Sequence, residues 1–290
     1  MKTTQQSYPA LARAIGISGE LFLKREDLHP YGSHKGRAIP KMIKQYVKDG
    51  ISTFAISSSG NAALAAKLTV ERHNENNPDK QISLTIFVGT YIPAEKFAML
   101  KSADEKITVT QCERPKQQAF VAAKVEGVVN LRQSTDDLAL EGYQELGIEL
   151  LKIPNLSAVF VPTSSGTTAE ALGKLFANNN IELHIVQTGA CHPMAELFDT
   201  NITEVEQSTA GAIVDNVAHR KTTVADLVKQ TSGNGWVPTE EMIIAAQHIL
   251  KSEAHIDVTP NGALALAGLI KATEKGFKTS GAVAVLICGQ

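Results

Sequence analysis

The chain has few of the features that mark secreted, membrane-spanning or nucleic-acid-binding proteins. Its 290 residues include only three cysteines, Cys112, Cys191 and Cys288, which lie far apart and form no C-x-x-C pair. A sparse and odd set argues against a disulfide framework or a zinc site, so we expect a cytoplasmic protein in a reducing environment. The formal net charge is only -2, which gives no sign of a nucleic-acid partner.

Long apolar runs are absent as well. The longest apolar stretches, such as Gly262–Ile270, suit a protein core and are too short to cross a membrane. Met1–Ala14 lacks the apolar block of a signal peptide. We therefore expect a soluble protein with no membrane partner, long enough for one large domain or two smaller ones.

Several well-known catalytic signatures are also missing. The chain contains no G-x-G-x-x-G dinucleotide motif, no H-E-x-x-H zinc motif and no G-x-S-x-G nucleophile motif. The segment after Gly166 is not a P-loop, because Gly173 comes too late and Leu175 stands where Ser or Thr is needed. These absences disfavour zinc-protease and α/β-hydrolase functions.

Apolar segments rich in β-forming residues alternate with helical patterns along the chain. Several of these segments are nearly continuous apolar runs, as expected for strands that are covered on both faces. The alternation predicts an α/β protein with mostly parallel sheets. The predicted strands are Thr53–Ser57, Ser83–Val88, Ile107–Thr110, Ala158–Pro162, Leu183–Gln187 and Ala282–Ile287.

Helical periodicity is clearest in two places. The first helix starts near Gly36, and the second opens at Thr239, which is followed by acidic residues as expected at a helix N-terminus. The polar segments Asn74–Lys80 and Thr200–Ser208 are predicted to be loops. The apolar positions are Ile39, Met42, Ile43, Tyr46 and Val47 in the first helix, and Met242, Ile243, Ala246, Ile249 and Leu250 in the second.

The densest cluster of chemically versatile residues is LKREDLHPYGSHKGR, at Leu23–Arg37. It begins as a strand, turns at Pro30–Gly32 and enters a helix, so that Lys35 lies at the junction between loop and helix. Loops on rigid elements often carry catalytic residues, and a helix N-terminus favours the neutral, nucleophilic form of a lysine. Taken alone, this signal is weak, because the chain has 28 Lys and Arg residues and a lysine is far more often a solvated surface group.

Two further stretches have the order strand, hydroxyl-rich turn, helix. They are ISSSGNAALAA at Ile56–Ala66 and VFVPTSSGTTAEAL at Val159–Leu172. Backbone N–H groups and hydroxyls at a helix N-terminus form an anion site, which suits a carboxylate in the first stretch and a phosphate in the second. For the first stretch taken alone, an N-cap serine beside a tight turn is the favoured interpretation.

The C-terminal stretch AVAVLICGQ, at Ala282–Gln290, is an apolar strand that ends in Cys288. Buried free cysteine is commonly a small hydrophobic residue without chemical function. For Cys288 considered alone, that interpretation is favoured.

These stretches occur in the same order in the fold-type-II enzymes that use pyridoxal 5'-phosphate (PLP), and the chain resembles this tryptophan synthase β-like family over nearly its whole length. KREDLHPYGSHKGR is similar to the cofactor-lysine segment, SSSGNAA to the asparagine loop and PTSSGTTAEAL to the phosphate loop. LEGYQELGIEL resembles the helix before the phosphate-loop strand, and HIDVTPNGALALAGL resembles the segment before the last strand.

The resemblance implies a role for each matching residue, with PLP as the cofactor and an amino acid as the substrate. Lys35 matches the lysine that carries PLP as a Schiff base and then acts as a general base. Asn61 matches the residue that hydrogen-bonds the 3'-oxygen of the cofactor, and Cys288 matches the partner of its ring nitrogen. The substrate-carboxylate loop would be Ser58, Ser59 and Gly60, and the phosphate cup Ser164, Ser165, Gly166, Thr167 and Thr168.

Two departures from the family pattern stand out. The phosphate cup has a single glycine, Gly166, where many relatives have several, and only two residues follow Cys288. Both leave room for altered activity, including a non-catalytic paralogue that binds PLP. Retention of Lys35 together with Asn61 favours an enzyme.

Among the activities of the family, the resemblance favours threonine synthase, which converts O-phosphohomoserine to threonine and phosphate. The asparagine loop supports this choice. Cys288, by contrast, resembles the cysteine that serine and threonine dehydratases have beside the ring nitrogen, so a dehydratase is the first alternative. Another replacement enzyme, such as cysteine synthase, is a further alternative. A substrate phosphate would need cationic partners, ideally an arginine fork. Arg37 and Arg220 are the candidates for that role.

The architecture that the resemblance implies is two three-layer α/β domains with mostly parallel sheets and PLP in the interdomain cleft. We expect residues 1–40 and 131–290 to form the larger, PLP-binding domain and residues 41–130 the smaller one. The family also suggests a homodimer.

Overall fold

A computed structural model describes residues 2–279 and 281–289 of the chain. The strands are β1 Gln5–Ser7, β2 Leu21–Arg25, β3 Thr53–Ser57, β4 Ser83–Gly89, β5 Ile107–Cys112, β6 Val128–Asn130, β7 Leu156–Pro162, β8 Glu182–Val186, β9 Asn234–Trp236 and β10 Ala282–Ile287. The helices are α1 Pro9–Ala14, α2 Lys35–Lys48, α3 Asn61–Asn76, α4 Ala94–Leu100, α5 Pro115–Ala122, α6 Leu138–Leu150, α7 Thr167–Phe176, α8 Lys221–Gln230, α9 Glu240–Ala254 and α10 Pro260–Glu274.

The chain divides into two compact units, and their limits differ from the expected domain limits. The larger unit consists of Met1–His29 with Tyr143–Gln290, and the smaller unit is Pro30–Gly142. Residues 30–40 and 131–142, which we expected in the larger domain, therefore belong to the smaller unit. The first of these segments begins α2, which packs against α3 of the same unit.

The larger unit contains a six-stranded sheet in the order β1-β2-β10-β7-β8-β9. Only β1 is antiparallel to its neighbour; β2, β10, β7, β8 and β9 pair in parallel. All six residues of β10 are buried, as expected for a central parallel strand that is covered on both faces. Because β2, β10 and β7 are neighbours, their carboxyl ends meet at one edge of the sheet, where ligands bind in open α/β proteins.

The smaller unit contains a four-stranded parallel sheet in the order β5-β4-β3-β6. Its central strand β3 has a buried middle, Phe54–Ile56, and the adjacent β4 alternates between buried and half-buried residues. The carboxyl ends of β3 and β6 lie side by side. The segments that follow these two strands, Ser58–Gly60 and Leu131–Gln133, are therefore neighbours.

The sequence patterns predict most of this structure. Each of the six predicted strands is present, two of them with the same limits, and the second helix begins at Glu240 with Thr239 as its N-cap. The short strands β1, β6 and β9, each of three residues, were not predicted. Three residues are too few to show an apolar period, and pairing with a neighbouring strand is what defines them.

The predicted loop at Asn74–Lys80 is wrong in its first part, because α3 continues to Asn76. Asn74 is buried, and its side chain accepts from the backbone N–H of Ile82 at 2.8 Å and donates to the carbonyl of Ile82 at 2.9 Å. These two bonds satisfy the polar side chain inside the fold. The polar residues therefore did not reveal that the helix continues to this point. Its end is held by the hydrogen bonds of Asn74 to Ile82, the residue before β4.

Two lysines of the larger unit are buried with carboxylate partners. Lys24, on β2, is fully buried, and its Nζ lies 2.5 Å from Oε2 of Glu149. Lys271, on α10, donates to Asp199 at 2.6 Å and to two backbone carbonyl groups. Buried charges persist only when they are paired and hydrogen-bonded, so both lysines are structural anchors.

Within the described ranges, 2–279 and 281–289, no helix has both the length and the apolar character that crossing a membrane requires.

A buried histidine in the larger unit is held in its neutral form. His184 stacks on Phe160 with ring centroids 4.4 Å apart. Its Nδ1 accepts a hydrogen bond from Nε1 of Trp236 at 3.1 Å, which leaves the proton on Nε2, 2.9 Å from Oε2 of Glu182. Burial lowers the pKa of His184, although the neighbouring Glu182 opposes this effect.

This environment predicts that stability falls in mild acid. The folded protein resists protonation of His184, whereas the unfolded chain takes up the proton near the ordinary histidine pKa of about 6.5. The free energy of unfolding should therefore decrease as the pH falls below that value. Urea unfolding followed by the fluorescence of Trp236, the only tryptophan, measures it. His184→Gln removes the titrating group, so an equal pH dependence in this variant would contradict the prediction.

Candidate active site

Lys35 is the first residue of α2, as the sequence predicts for a lysine at a loop-to-helix junction. The preceding turn contains Gly32 with a φ of 74°, a left-handed conformation that glycine adopts without strain. Oγ of Ser33 accepts from the backbone N–H of Lys35 at 3.3 Å. Nζ of Lys35 donates to Oε1 of Gln133 at 3.1 Å. The amine is therefore held in a defined position beside an uncharged acceptor.

Gln133 is a site residue that sequence reasoning missed. It is buried, with 8% of its surface exposed, and lies just beyond the carboxyl end of β6. Because β6 pairs with β3 in parallel, Gln133 reaches the same sheet edge as the loop after β3. The only signal in the sequence was a short apolar run before a polar residue, which is too common to single out one glutamine.

The predicted carboxylate loop follows β3 and leads into α3. Ser59 and Gly60 are exposed, and Oγ of Ser58 accepts from the backbone N–H of Gly60 at 3.2 Å. Asn61 is half-buried and is the first residue of α3, a helix of 16 residues. The first backbone N–H groups of a helix have no partner within the helix, so this loop can bind an anion.

The predicted phosphate loop follows β7 and leads into α7. Gly166 is the N-cap of α7 and has a φ of 87°. A Cβ atom at this position would be strained by the positive φ and would be tightly placed, 3.0 Å from Val224 and 3.2 Å from Cβ of Arg220. Among the neighbouring side chains of the loop, Ser164 and Ser165 are half-buried, and Thr167 and Thr168 are buried.

The hydroxyls of this loop are close enough to act together. Oγ of Ser165 and Oγ1 of Thr167 lie 3.0 Å apart. Together with the N–H groups at the start of α7, they form a concentrated set of hydrogen-bond donors at a positive helix end. A phosphate group suits such a site, as the sequence predicts.

Cys288 is buried and follows β10, the strand between β2 and β7. Its Sγ donates to the carbonyl of Asn261 at 3.6 Å. Tyr143, which sequence reasoning did not single out, is fully buried near Cys288 and forms a hydrogen bond with Thr168 of the phosphate loop. Burial raises the pKa of Tyr143 well above its ordinary value, so its hydroxyl stays neutral.

The two arginines expected to bind a substrate phosphate are both buried. Arg37 is buried in the first turn of α2, two residues after Lys35. Residues two apart leave a helix about 200° apart, so their side chains do not share a face. Nη1 of the buried Arg220 donates to Oε2 of Glu170 at 2.7 Å. Neither placement supports the expected substrate role.

Each unit, considered by itself, contains a chemically coherent set of groups. The smaller unit provides the amine of Lys35, with Gln133 and the loop from Ser58 to Asn61. The larger unit provides the phosphate loop and Cys288. A primary amine, an anion-binding loop for a phosphate and a weakly acidic thiol are the groups that PLP needs for its aldehyde carbon, its phosphate and its ring nitrogen. The residues present therefore fit this cofactor.

Residues 2–289 match the family model described as "Pyridoxal-phosphate dependent enzyme", so the chain belongs to this family. Its cofactor is pyridoxal 5'-phosphate. The family resemblance inferred from the sequence motifs is thereby confirmed.

Curated relatives include enzymes of two activities. The chain is 25% identical to the threonine synthase of Methanocaldococcus jannaschii over 291 residues, which covers 92% of this chain and 68% of the relative. It is 30% identical to the human L-serine dehydratase/L-threonine deaminase over 155 residues, 52% of this chain and 44% of the relative. The longer alignment is thus with a threonine synthase, and the higher identity with a dehydratase.

Solved structures confirm the predicted fold class. The chain superposes on a PLP-dependent aspartate racemase with a TM-score of 0.83 and 18% identity, covering 100% of this chain and 90% of the other. A threonine deaminase from Solanum lycopersicum gives 0.81 with 17% identity and covers 100% and 84%. At these identities, the likeness shows only that the α/β fold is shared, and it carries no information about activity.

The contact between Lys35 and Gln133 leads to a prediction about the cofactor. Gln133→Glu would place a negative charge where the neutral amide now accepts from the lysine amine. Since a nearby opposite charge favours protonation, the visible absorption of the cofactor attached to the protein should titrate at higher pH, by roughly one pH unit. A spectroscopic pH titration of the PLP-loaded protein measures this shift.

Gln117→Glu on α5 is a matched control, because this glutamine is exposed. It adds the same charge and should leave the titration unchanged. Identical curves for Gln133→Glu and the unmodified protein would show that Gln133 does not influence Lys35.

Proposed function

We propose that the chain is a lyase that eliminates or replaces a substituent on the side chain of an amino acid, with PLP linked covalently to Lys35. The observation that carries the proposal is the placement of Lys35: its amine is held by Gln133 at the start of α2, in the segment that resembles the cofactor-lysine segment of the family.

The proposed roles follow from the chemistry of each group. When bound, PLP supplies an electron sink for the negative charge that develops at Cα of the substrate. Lys35 takes the proton from Cα and can return it, because its amine becomes available once the substrate has displaced it. The N–H groups of Ser59 and Asn61, in the loop that leads into α3, hold the substrate carboxylate.

The remaining residues hold and tune the cofactor. The loop Ser164–Thr168 binds the phosphate, and the side chain of Asn61 binds the 3'-oxygen. Cys288 faces the ring nitrogen in this assignment. A thiol is a weak hydrogen-bond donor and is neutral near pH 7, so it does not protonate the ring nitrogen as a carboxylic acid would. This environment favours elimination and replacement over transamination.

The first candidate reaction is the conversion of O-phosphohomoserine to threonine and phosphate. Its support is the similarity to threonine synthases, which extends over 92% of the chain. The asparagine loop, Ser58–Asn61, is also of the threonine-synthase type in sequence.

The second candidate is the deamination of serine or threonine to the corresponding oxoacid. Three observations favour it: the cysteine at the end of β10, the similarity of half the chain to a serine dehydratase/threonine deaminase, and the positions of Arg37 and Arg220. Lys35 and Arg37 lie on different faces of α2, and Arg220 is paired with Glu170, which weighs against these two arginines as partners of a substrate phosphate. A substrate without phosphate needs none.

The test of the covalent assignment is chemical. Purified protein loaded with PLP should be yellow, and borohydride should fix the cofactor onto Lys35, since reduction makes the link between an amine and an aldehyde permanent. Peptide mapping by mass spectrometry locates the modified residue. Lys35→Ala should retain no reducible cofactor. Attachment to another lysine would refute the assignment.

The two candidate reactions have different products. With O-phosphohomoserine, threonine synthase activity should release threonine and inorganic phosphate in equal amounts. With serine or threonine, dehydratase activity should release an oxoacid and ammonia. Oxoacid formation without phosphate release would assign the protein to the dehydratases. Neither product from a protein with intact reducible cofactor would favour another replacement reaction, such as cysteine synthesis, or a non-catalytic PLP-binding protein.

A further inference from the structure

A buried group of charges lies one helical turn below the phosphate loop. Glu170, in the first turn of α7, is buried and accepts from Arg220 at 2.7 Å and from Lys174 at 2.6 Å. The Glu170 and Arg220 side chains are only 6% and 8% exposed, whereas that of Lys174 is 46% exposed. The pair formed by Glu170 and Arg220 is therefore the part that is shielded from water.

Arg220 lies next to the phosphate loop and donates to Glu170. It is the N-cap of α8, which packs against α7. Its Cβ atom lies 3.2 Å from the position that a Cβ of Gly166 would occupy. The Cβ of Arg220 thus lies beside Gly166, the single glycine of the loop, while its guanidinium donates to Glu170 in the first turn of α7.

The charges at this place conflict unless they are compensated. The N-terminus of α7 attracts the phosphate of the cofactor, but the carboxylate of Glu170 lies in the same first turn and repels it. Water screens this repulsion poorly, because Glu170 is buried. A guanidinium bound directly to the carboxylate removes most of the repulsion and leaves the attraction of the helix end.

We propose that Arg220 is a positioning residue of the cofactor-phosphate site, which neutralises Glu170 and so makes the N-terminus of α7 able to hold a phosphate dianion. The pair thereby sets the preference of the protein for PLP over pyridoxal, which lacks the phosphate. This role replaces the expected contact of Arg220 with a substrate phosphate. The proposal rests on the phosphate-loop assignment made under the proposed function.

The experiment compares the two ligands on protein stripped of its cofactor. Binding of PLP and of pyridoxal is followed by absorbance, and the ratio of the two dissociation constants gives the contribution of the phosphate. Arg220→Gln should weaken PLP binding by about tenfold or more, because Glu170 loses its buried partner and keeps only Lys174, whose side chain is 46% exposed, and should change pyridoxal binding less than about twofold. In the PLP-loaded variant, the phosphorus-31 NMR signal should show that the phosphate gains a proton at a higher pH than in the unmodified PLP-loaded protein.

Two further variants isolate the charge effect. Glu170→Gln combined with Arg220→Gln removes both charges and should recover most of the lost PLP affinity. Lys221→Gln is the matched control: Lys221 is the next residue, partly exposed and paired with Glu196, so its loss should leave both ligands unaffected. The proposal would be overturned if Arg220→Gln lost affinity for PLP and for pyridoxal equally. It would also be overturned if Arg220→Gln and Lys221→Gln had the same effect on PLP binding.

Arg220→Lys distinguishes the loss of the positive charge from a folding defect. It keeps the positive charge, so it should fold and retain the preference for PLP within a few-fold; a folded Arg220→Lys that has lost the preference would also overturn the proposal. Failure of the underlying assignment looks different. If the unmodified protein binds pyridoxal as tightly as PLP, the phosphate-loop assignment itself is wrong. If the unmodified protein and Arg220→Gln prefer PLP to the same extent, the phosphate-loop assignment stands and only the proposed role of Arg220 is wrong.

Discussion

Parallel strand pairing is the constraint on which the candidate site depends. In the larger unit, β2, β10 and β7 are adjacent and parallel, so Glu26, Cys288 and the loop after Pro162 come to one sheet edge although they are far apart in the chain. Backbone hydrogen bonding between parallel strands aligns their carboxyl ends at one end of the sheet. In the smaller unit, the same rule brings Gln133 beside the segment that precedes α3.

Helix starts provide the second general element of the site. Lys35, Asn61 and Thr167 are each the first residue of a helix. Each helix follows a loop, and its first N–H groups and positive end are directed to whatever lies beside that loop. Three helix starts therefore carry the groups of the candidate site: the first has the amine of Lys35 as its own side chain, and the other two are the places where we propose that a carboxylate and a phosphate bind.

The buried ion pairs differ in what they contribute. Lys24 with Glu149 and Lys271 with Asp199 join segments that are distant in sequence, and both lysines have further backbone acceptors. They hold strands and loops in place. The pair of Arg220 and Glu170 adjoins the phosphate loop, where its charge distribution affects a ligand. Similar chemistry thus serves folding at two places and, in our proposal, cofactor binding at the third.

The sequence by itself determined the α/β class, the predicted strands and the strand-turn-helix loops, because apolar runs and turn residues act locally and leave a visible pattern. It also indicated Lys35, Asn61 and Cys288 through their motifs. Only the tertiary structure decided which distant side chains meet. The contact of Gln133 with Lys35 and the pairing of Arg220 with Glu170 span 98 and 50 residues. Contacts at such separations depend on strand order and helix packing, and neither leaves a periodic signal in the chain.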